Sequence, residues 1–196
     1  RPYGTPSAPR QTIPSSIPAG AVVEVHGTTY DAPSSAVASQ GTVSNPVFIR
    51  GVDYASRPKF TNSFGINGAY AIIENIHFGP ANVTDGEFGF GMVEGAANHH
   101  VAVRSSEFSG NINRAGGAAF GTWQYGGNST LEYIVLDNVY IHDIGNPNDT
   151  ADQDAHGITL NGRVRNFWIT HSEMARTSGD GIQINGGDGD TTRNNI

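Results

Sequence analysis

The chain contains no cysteine, so neither a disulfide framework nor a thiolate metal site holds it together. Lysine is nearly absent as well. Lys59 is the sole lysine, and 11 Lys and Arg residues face 18 Asp and Glu for a net charge of −7. Phosphate neutralisation needs a clustered basic face, so this balance argues against nucleic acid as a partner. No apolar run approaches the roughly 20 residues of a membrane-spanning helix, which argues against a membrane span. No segment keeps an i, i+3, i+4, i+7 apolar spacing for three turns, so the helical pattern is missing too.

What the chain has instead is glycine and short apolar runs. There are 26 glycines among 196 residues, and β-branched and aromatic runs of four to six residues recur throughout. Many tight turns between short strands follow, and with them an all-β class. The length fits one domain with a substantial core.

Four segments repeat one another. Tyr70 to Phe78, His100 to Phe108, Tyr133 to Ile141 and Phe167 to Ala175 align without a gap, each with a short apolar run, a polar pair and a second short run. Their second residues stand at positions 71, 101, 134 and 168, a nearly even spacing. The alignment puts Ile73, Val103, Leu136 and Thr170 in one column, Asn75, Ser105, Asn138 and Ser172 in another, and His77, Glu107, Tyr140 and Met174 in an outward one. A strand precedes the later members of the set at Gly89–Val93, Gly117–Phe120, Gly157–Leu160 and Gly181–Ile184. A period of this kind, with three short strands per coil and no helix, predicts a right-handed parallel β-helix solenoid. The Asn/Ser column then sits at the turn between second and third strands, bonding backbone groups there and its neighbours about 4.8 Å along the stack. Residues 1–20 read as an extended Pro-rich lead-in, and 21–196 as the solenoid. The sequence halts in mid-coil at Ile196, so the expectation is the N-terminal part of a longer solenoid, or a partner chain covering that end.

Ile17 to Gly27, Gly41 to Gly51 and Ala71 to Gly79 resemble the opening of the pectate-lyase-like superfamily, nearest the branch with alginate lyases and chondroitinase B. The resemblance implies a secreted protein, extracellular or periplasmic, acting on a polysaccharide. Families it resembles often use a Lys and Arg pair from later coils. Here Lys59 lies before the repeats.

Variable loops on a rigid scaffold are where sites are built. The longest, from His142 to His156, gathers His142, Asp143, Asp149, Asp152, Asp154 and His156. One coil later Ser178-Gly-Asp-Gly181 enters the same sheet, which stacks Asp180 on His156. Three carboxylates, Asp152, Asp154 and Asp180, make a hard-oxygen set suited to Ca²⁺. Such an ion would neutralise a uronate carboxylate, with His156 or Arg176 as base or charge neutraliser in a β-elimination. Asp154 and Asp180 on adjacent coils also suit a glycoside hydrolase. Trp123, Tyr125, Gln183 and His142 are the candidate sugar-binding residues, the first two by aromatic stacking at the rim of the sheet. The functional expectation is β-elimination of an acidic polysaccharide. Hydrolysis and non-catalytic sugar binding by an adhesive or tailspike-like solenoid are the alternatives.

Overall fold

The structure, a computed structural model, describes residues 4–5, 7–27, 29–30, 36–79, 88–93, 98–110, 116–123, 130–146, 148 and 154–185. These residues form strands and turns and no helix. In chain order the strands begin with β1 (Ser16–Pro18), β2 (Val22–Val25), β3 (Thr29–Tyr30), β4 (Val37–Gln40), β5 (Val47–Gly51) and β6 (Lys59–Phe60). Next come β7 (Phe64–Glu74), β8 (His77–Phe78), β9 (Phe88–Val93), β10 (His99–Arg104), β11 (Glu107–Phe108) and β12 (Gly116–Trp123). The last are β13 (Leu131–Asp137), β14 (Tyr140–Ile144), β15 (Asp154–Asn161), β16 (Val164–Thr170), β17 (Glu173–Thr177) and β18 (Ile182–Asn185). β1 lies within the stretch read from sequence as a lead-in and pairs with β4.

The pairing between these strands is parallel, and it sorts them into three ladders that the chain visits in turn. Ladder A stacks β1, β4, the first half of β7, β9, β12, β15 and β18. Ladder B stacks β2, β5, the second half of β7, β10, β13 and β16. Ladder C stacks β3, β6, β8, β11, β14 and β17. A and B form one curled 12-stranded sheet because β7 belongs to both, while C is a separate 6-stranded sheet. Each coil therefore pairs only with the coils before and after it, which makes the architecture solenoid-like.

The core is what the ladders face inward. Ile49, Ile73, Val103 and Leu136 succeed one another in register on ladder B, and Phe60, Phe78, Phe108 and Ile141 do so on ladder C. Seven phenylalanines are among the largest fully buried side chains, each worth about 1.5–3 kcal/mol of transfer free energy. Their rings stack along the ladders, Phe78 on Phe108 at 4.8 Å and Phe90 on Phe120 at 5.5 Å.

The corners are set by backbone conformation. Tyr70 within β7, His100, Tyr133 and Asn166 near the starts of β10, β13 and β16, and Asn75, Ser105, Asn138 and His171 between ladders B and C all have φ between 49° and 58°. Left-handed backbone outside glycine is costly and persists only where surroundings enforce it. At the B–C corner side chains do so. Asn75 Nδ2 donates to the carbonyls of Gly51 and Asp53 at 2.8 and 3.0 Å, and Asn138 Nδ2 to Ser105 Oγ at 3.2 Å. One residue on, Ser106 and Ser172 each accept a backbone N–H from the coil before and donate back to a carbonyl of their own coil.

The fourth repeat corrects the sequence alignment by one residue. Ile134 pairs with Phe167 rather than Trp168, Leu136 with Ile169 rather than Thr170, and Tyr140 with Glu173 rather than Met174. His171 therefore occupies the left-handed corner assigned to Ser172, and the outward column of ladder C ends in Glu173. A gap-free match of polar pairs misplaced the frame; burying Phe167 in full restores it, since a slip of one turns a strand inside out. Gly51 to Asn67, irregular in sequence, holds β6, and the step from its Phe60 to Phe78 is the shortest in sequence between neighbours on ladder C.

Phe167→Ala is expected to destabilise the fold by about 3–5 kcal/mol, and Trp168→Ala, at a side chain 42% exposed, by far less. Chemical denaturation measures both; the reverse order contradicts this register.

Candidate functional site

Two groups of polar side chains flank the passage from the end of ladder C to the start of ladder A. The first belongs to ladder A. β15 opens on Asp154-Ala-His156, and Asp180 stands just before β18. His156 is 5% exposed, while Asp154 and Asp180 are 85% and 66% exposed. The Asp180 backbone N–H donates to His156 Nδ1 at 2.9 Å. That bond assigns the ring proton to Nε2, which faces Asp154 Oδ1 at 3.2 Å. Asp180 Oδ2 lies 3.8 Å from Nδ1 on the other side. Gly179 keeps this arrangement open, since a Cβ there would stand 2.8 Å from His156 Nδ1.

The two carboxylates thus meet across one imidazole ring rather than at a common point. Asp152 and Asp149 fall outside the described residues, and among those described no three His, Asp or Glu side chains gather as a metal group. Of the Asp152, Asp154, Asp180 set, the two described members stand on either side of His156.

The second group lies on ladder C and holds Arg176. Arg176, one residue past the aligned segment that ends at Ala175, is within β17, in left-handed backbone at φ 54°. Its guanidinium grips Asp143 with two bonds, Nε to Oδ1 at 2.6 Å and Nη2 to Oδ2 at 2.8 Å. The reason is strand length: β14 continues through His142 and Asp143 to Ile144, so both side chains stand on a strand rather than in the long loop. Asp143 shares the same left-handed φ, which brings the two side chains together one coil apart. Nη2 also reaches Tyr140 Oη at 3.4 Å. The paired guanidinium first, and His142 second, hold the Asp143 carboxyl well below the usual carboxylate range.

His142 links Asp143 to the coil before. Its Nδ1 faces Asp143 Oδ2 at 2.6 Å and its Nε2 faces Glu107 Oε1 at 3.2 Å, while the Tyr140 ring stacks on it at 4.1 Å. Glu107 also receives Arg57 Nη1 at 3.4 Å and stands 3.7 Å from His77 Nε2. His77 Nε2 bonds Ser109 Oγ at 2.7 Å, and burial pushes its pKa below the ordinary value against the pull of Glu107. Lys59 pairs in register with His77, so the sole lysine, which the sequence places before the repeats, stands on the same ladder. Side chains on ladder C thus make a connected row of ionisable groups from His77 through Glu107, His142 and Asp143 to Arg176.

Two of the remaining candidates stand on ladder A. Gln183 is in β18 beside Thr159 of the coil before, and its Oε1 accepts Asn185 Nδ2 at 3.3 Å. Trp123 is the last residue of β12, in register with Val93. Tyr125 lies outside the described residues. Compared with family models, curated proteins and solved structures, the chain matches none.

The row makes the fold acid-sensitive in two stages. With its folded pKa below about 6.5, His77 stays neutral where the unfolded chain takes up a proton, so stability falls as pH drops through that window. Asp143 contributes stability above the ordinary value of about 3.9 and loses it as pH falls further. His77→Gln is expected to flatten the first limb and Asp143→Asn the second, measured as melting temperature against pH. An acid limb unchanged in Asp143→Asn contradicts the pairing with Arg176.

Proposed function

We propose that the three ladders are the faces of a right-handed parallel β-helix of the pectate-lyase-like kind, and that the protein cleaves an acidic, uronate-containing polysaccharide by β-elimination. Parallel pairing, a fixed A, B, C order and left-handed corners support the β-helix. The observation that carries the chemistry is Arg176, held by Asp143 with its Nη2 3.4 Å from Tyr140 Oη. Nε and Nη2 are bonded, which leaves Nη1 to neutralise an incoming uronate carboxylate. With that charge offset, the proton α to the carboxylate becomes acidic. Tyr140, acting as its phenolate, accepts that proton, the C4–O bond breaks as a C4–C5 double bond forms, and the resulting phenol returns the proton to the departing oxygen. A polysaccharide substrate of this size lies outside the membrane, so the reading carries secretion with it.

A second reading, glycoside hydrolysis by Asp154 and Asp180, is favoured by one observation: both carboxylates flank His156 on adjacent coils and face solvent. In that chemistry one carboxyl protonates the leaving oxygen while the other activates water or attacks.

The two are told apart on a panel of polyuronates and neutral glycans. β-Elimination yields an unsaturated product with new ultraviolet absorbance, and Tyr140→Phe and Arg176→Ala are each expected to lower the rate by about 10²-fold or more while Asp154→Asn and Asp180→Asn retain it. Reducing ends without that absorbance, lost in both Asp variants, establish hydrolysis instead. Glycan binding with neither product leaves a sugar-binding solenoid. His156→Ala is the less informative variant, because it empties a buried position and removes the acceptor of the Asp180 N–H, at about 1–3 kcal/mol.

A further inference from the structure

We infer that Lys59, with the glycine-lined surface around it, forms an anion subsite on ladder C that receives a carboxylated unit of the polysaccharide, upstream of Arg176 along the solenoid axis. The inference rests on the acidic-substrate reading above and extends it to residues that reading does not use. Lys59 is the sole lysine in a chain of net charge −7, yet it stands on the same ladder as Arg176 and close to Arg57. The nearest carboxylate of the row, Glu107, is already engaged by Arg57, His142 and His77. Among the described residues Lys59 makes no ion pair. Burial keeps the neighbouring His77 neutral, bonded to Ser109 Oγ, so the ring does not compete for an anion as a second fixed cation.

The surface beneath the ammonium is shaped by two glycines. A Cβ at Gly79 would collide with the Lys59 stem and stand 2.8 Å from His77 Nε2. A Cβ at Gly110, where φ is +90°, would lie 3.6 Å from Lys59 Nζ. The lysine stem therefore lies over Gly79 beside the His77 ring, with its charged end near Gly110. Glycine beneath the ammonium leaves room for a bulky sugar to approach, and an ammonium with no counter-ion among the described residues supplies the charge that a carboxylate needs. Successive coils stack about 4.8 Å apart, so an extended chain lying along ladder C passes from Lys59 across the His77 and Glu107 coils to Tyr140 and Arg176.

Titration calorimetry of the full chain with defined polygalacturonate and polymannuronate oligosaccharides tests this, with neutral glucan oligosaccharides and a sulfated glucan as controls. Lys59→Gln is expected to weaken polyuronate binding about tenfold and to reduce its salt dependence, Lys59→Arg to keep both, and the neutral glucan to be bound no differently by any of the three. Since Lys59 makes no ion pair among the described residues, Lys59→Gln should melt with the parent, which separates lost binding from lost fold. Equal loss toward the sulfated glucan overturns the carboxylate preference and identifies a general anion site. Polyuronate affinity unchanged in Lys59→Gln overturns the subsite whatever the enzyme proves to do. Tenfold weaker binding in a protein that cleaves no polyuronate upholds the subsite and removes the lyase reading alone.

Discussion

Everything in this fold depends on one constraint, the in-register parallel stacking of each coil on the one before it. A short strand buries too little to stand alone, and hydrophobic closure is reached only when Ile49, Ile73, Val103 and Leu136, or Phe60, Phe78, Phe108 and Ile141, fall over one another. Because side chains alternate with a period of two, the register admits no compromise: one residue of slip replaces Phe167 by Trp168 in the core. The left-handed corners enforce the same registration, since each column of positive φ reappears at the equivalent position of the next coil.

That regularity is also what delivers chemistry. Residues outside the core project from the ladders at fixed intervals, so a polar position recurring in successive coils becomes a row. On ladder C it yields Lys59, His77, Glu107, Tyr140 and Glu173 in register, and His142, Asp143 and Arg176 beyond that position join Glu107 through charged contacts. On ladder A it places Asp154 and Asp180 on either side of His156. The first row offers cations and a phenol, the second exposed carboxylates. The two frame the same chain crossing from ladder C to ladder A.

The repeating strands and the polar turn were legible in the sequence because the full-length coils from Tyr70 to Ile141 repeat both the apolar spacing and the corner residues. Three features were not. The coil that carries the chain from Lys59 to His77 is too short to fit the same period, and only the Phe60–Phe78 pairing brings Lys59 onto the ladder. Asp143 and Arg176 fall just beyond the aligned segments, which end at Ile141 and Ala175, whereas β14 runs on to Ile144 and β17 to Thr177. The pairing of His156 with Asp180 follows from strand register alone, but the use of Nδ1 by a backbone N–H depends on where the chain turns into β18. Spacing does not reveal that.

The stacking itself is open to a direct check, because a chain without cysteine accepts a single engineered pair cleanly. Val135 and Trp168 are register partners on the outer side of ladder B, at a separation that parallel neighbours share and a disulfide tolerates. Oxidation of Val135→Cys/Trp168→Cys is expected to cross-link nearly completely, and Val135→Cys/Ile169→Cys hardly at all, read by thiol titration and mass mapping. Preferential cross-linking of the second pair contradicts the register on which the core, the corners and both polar rows depend.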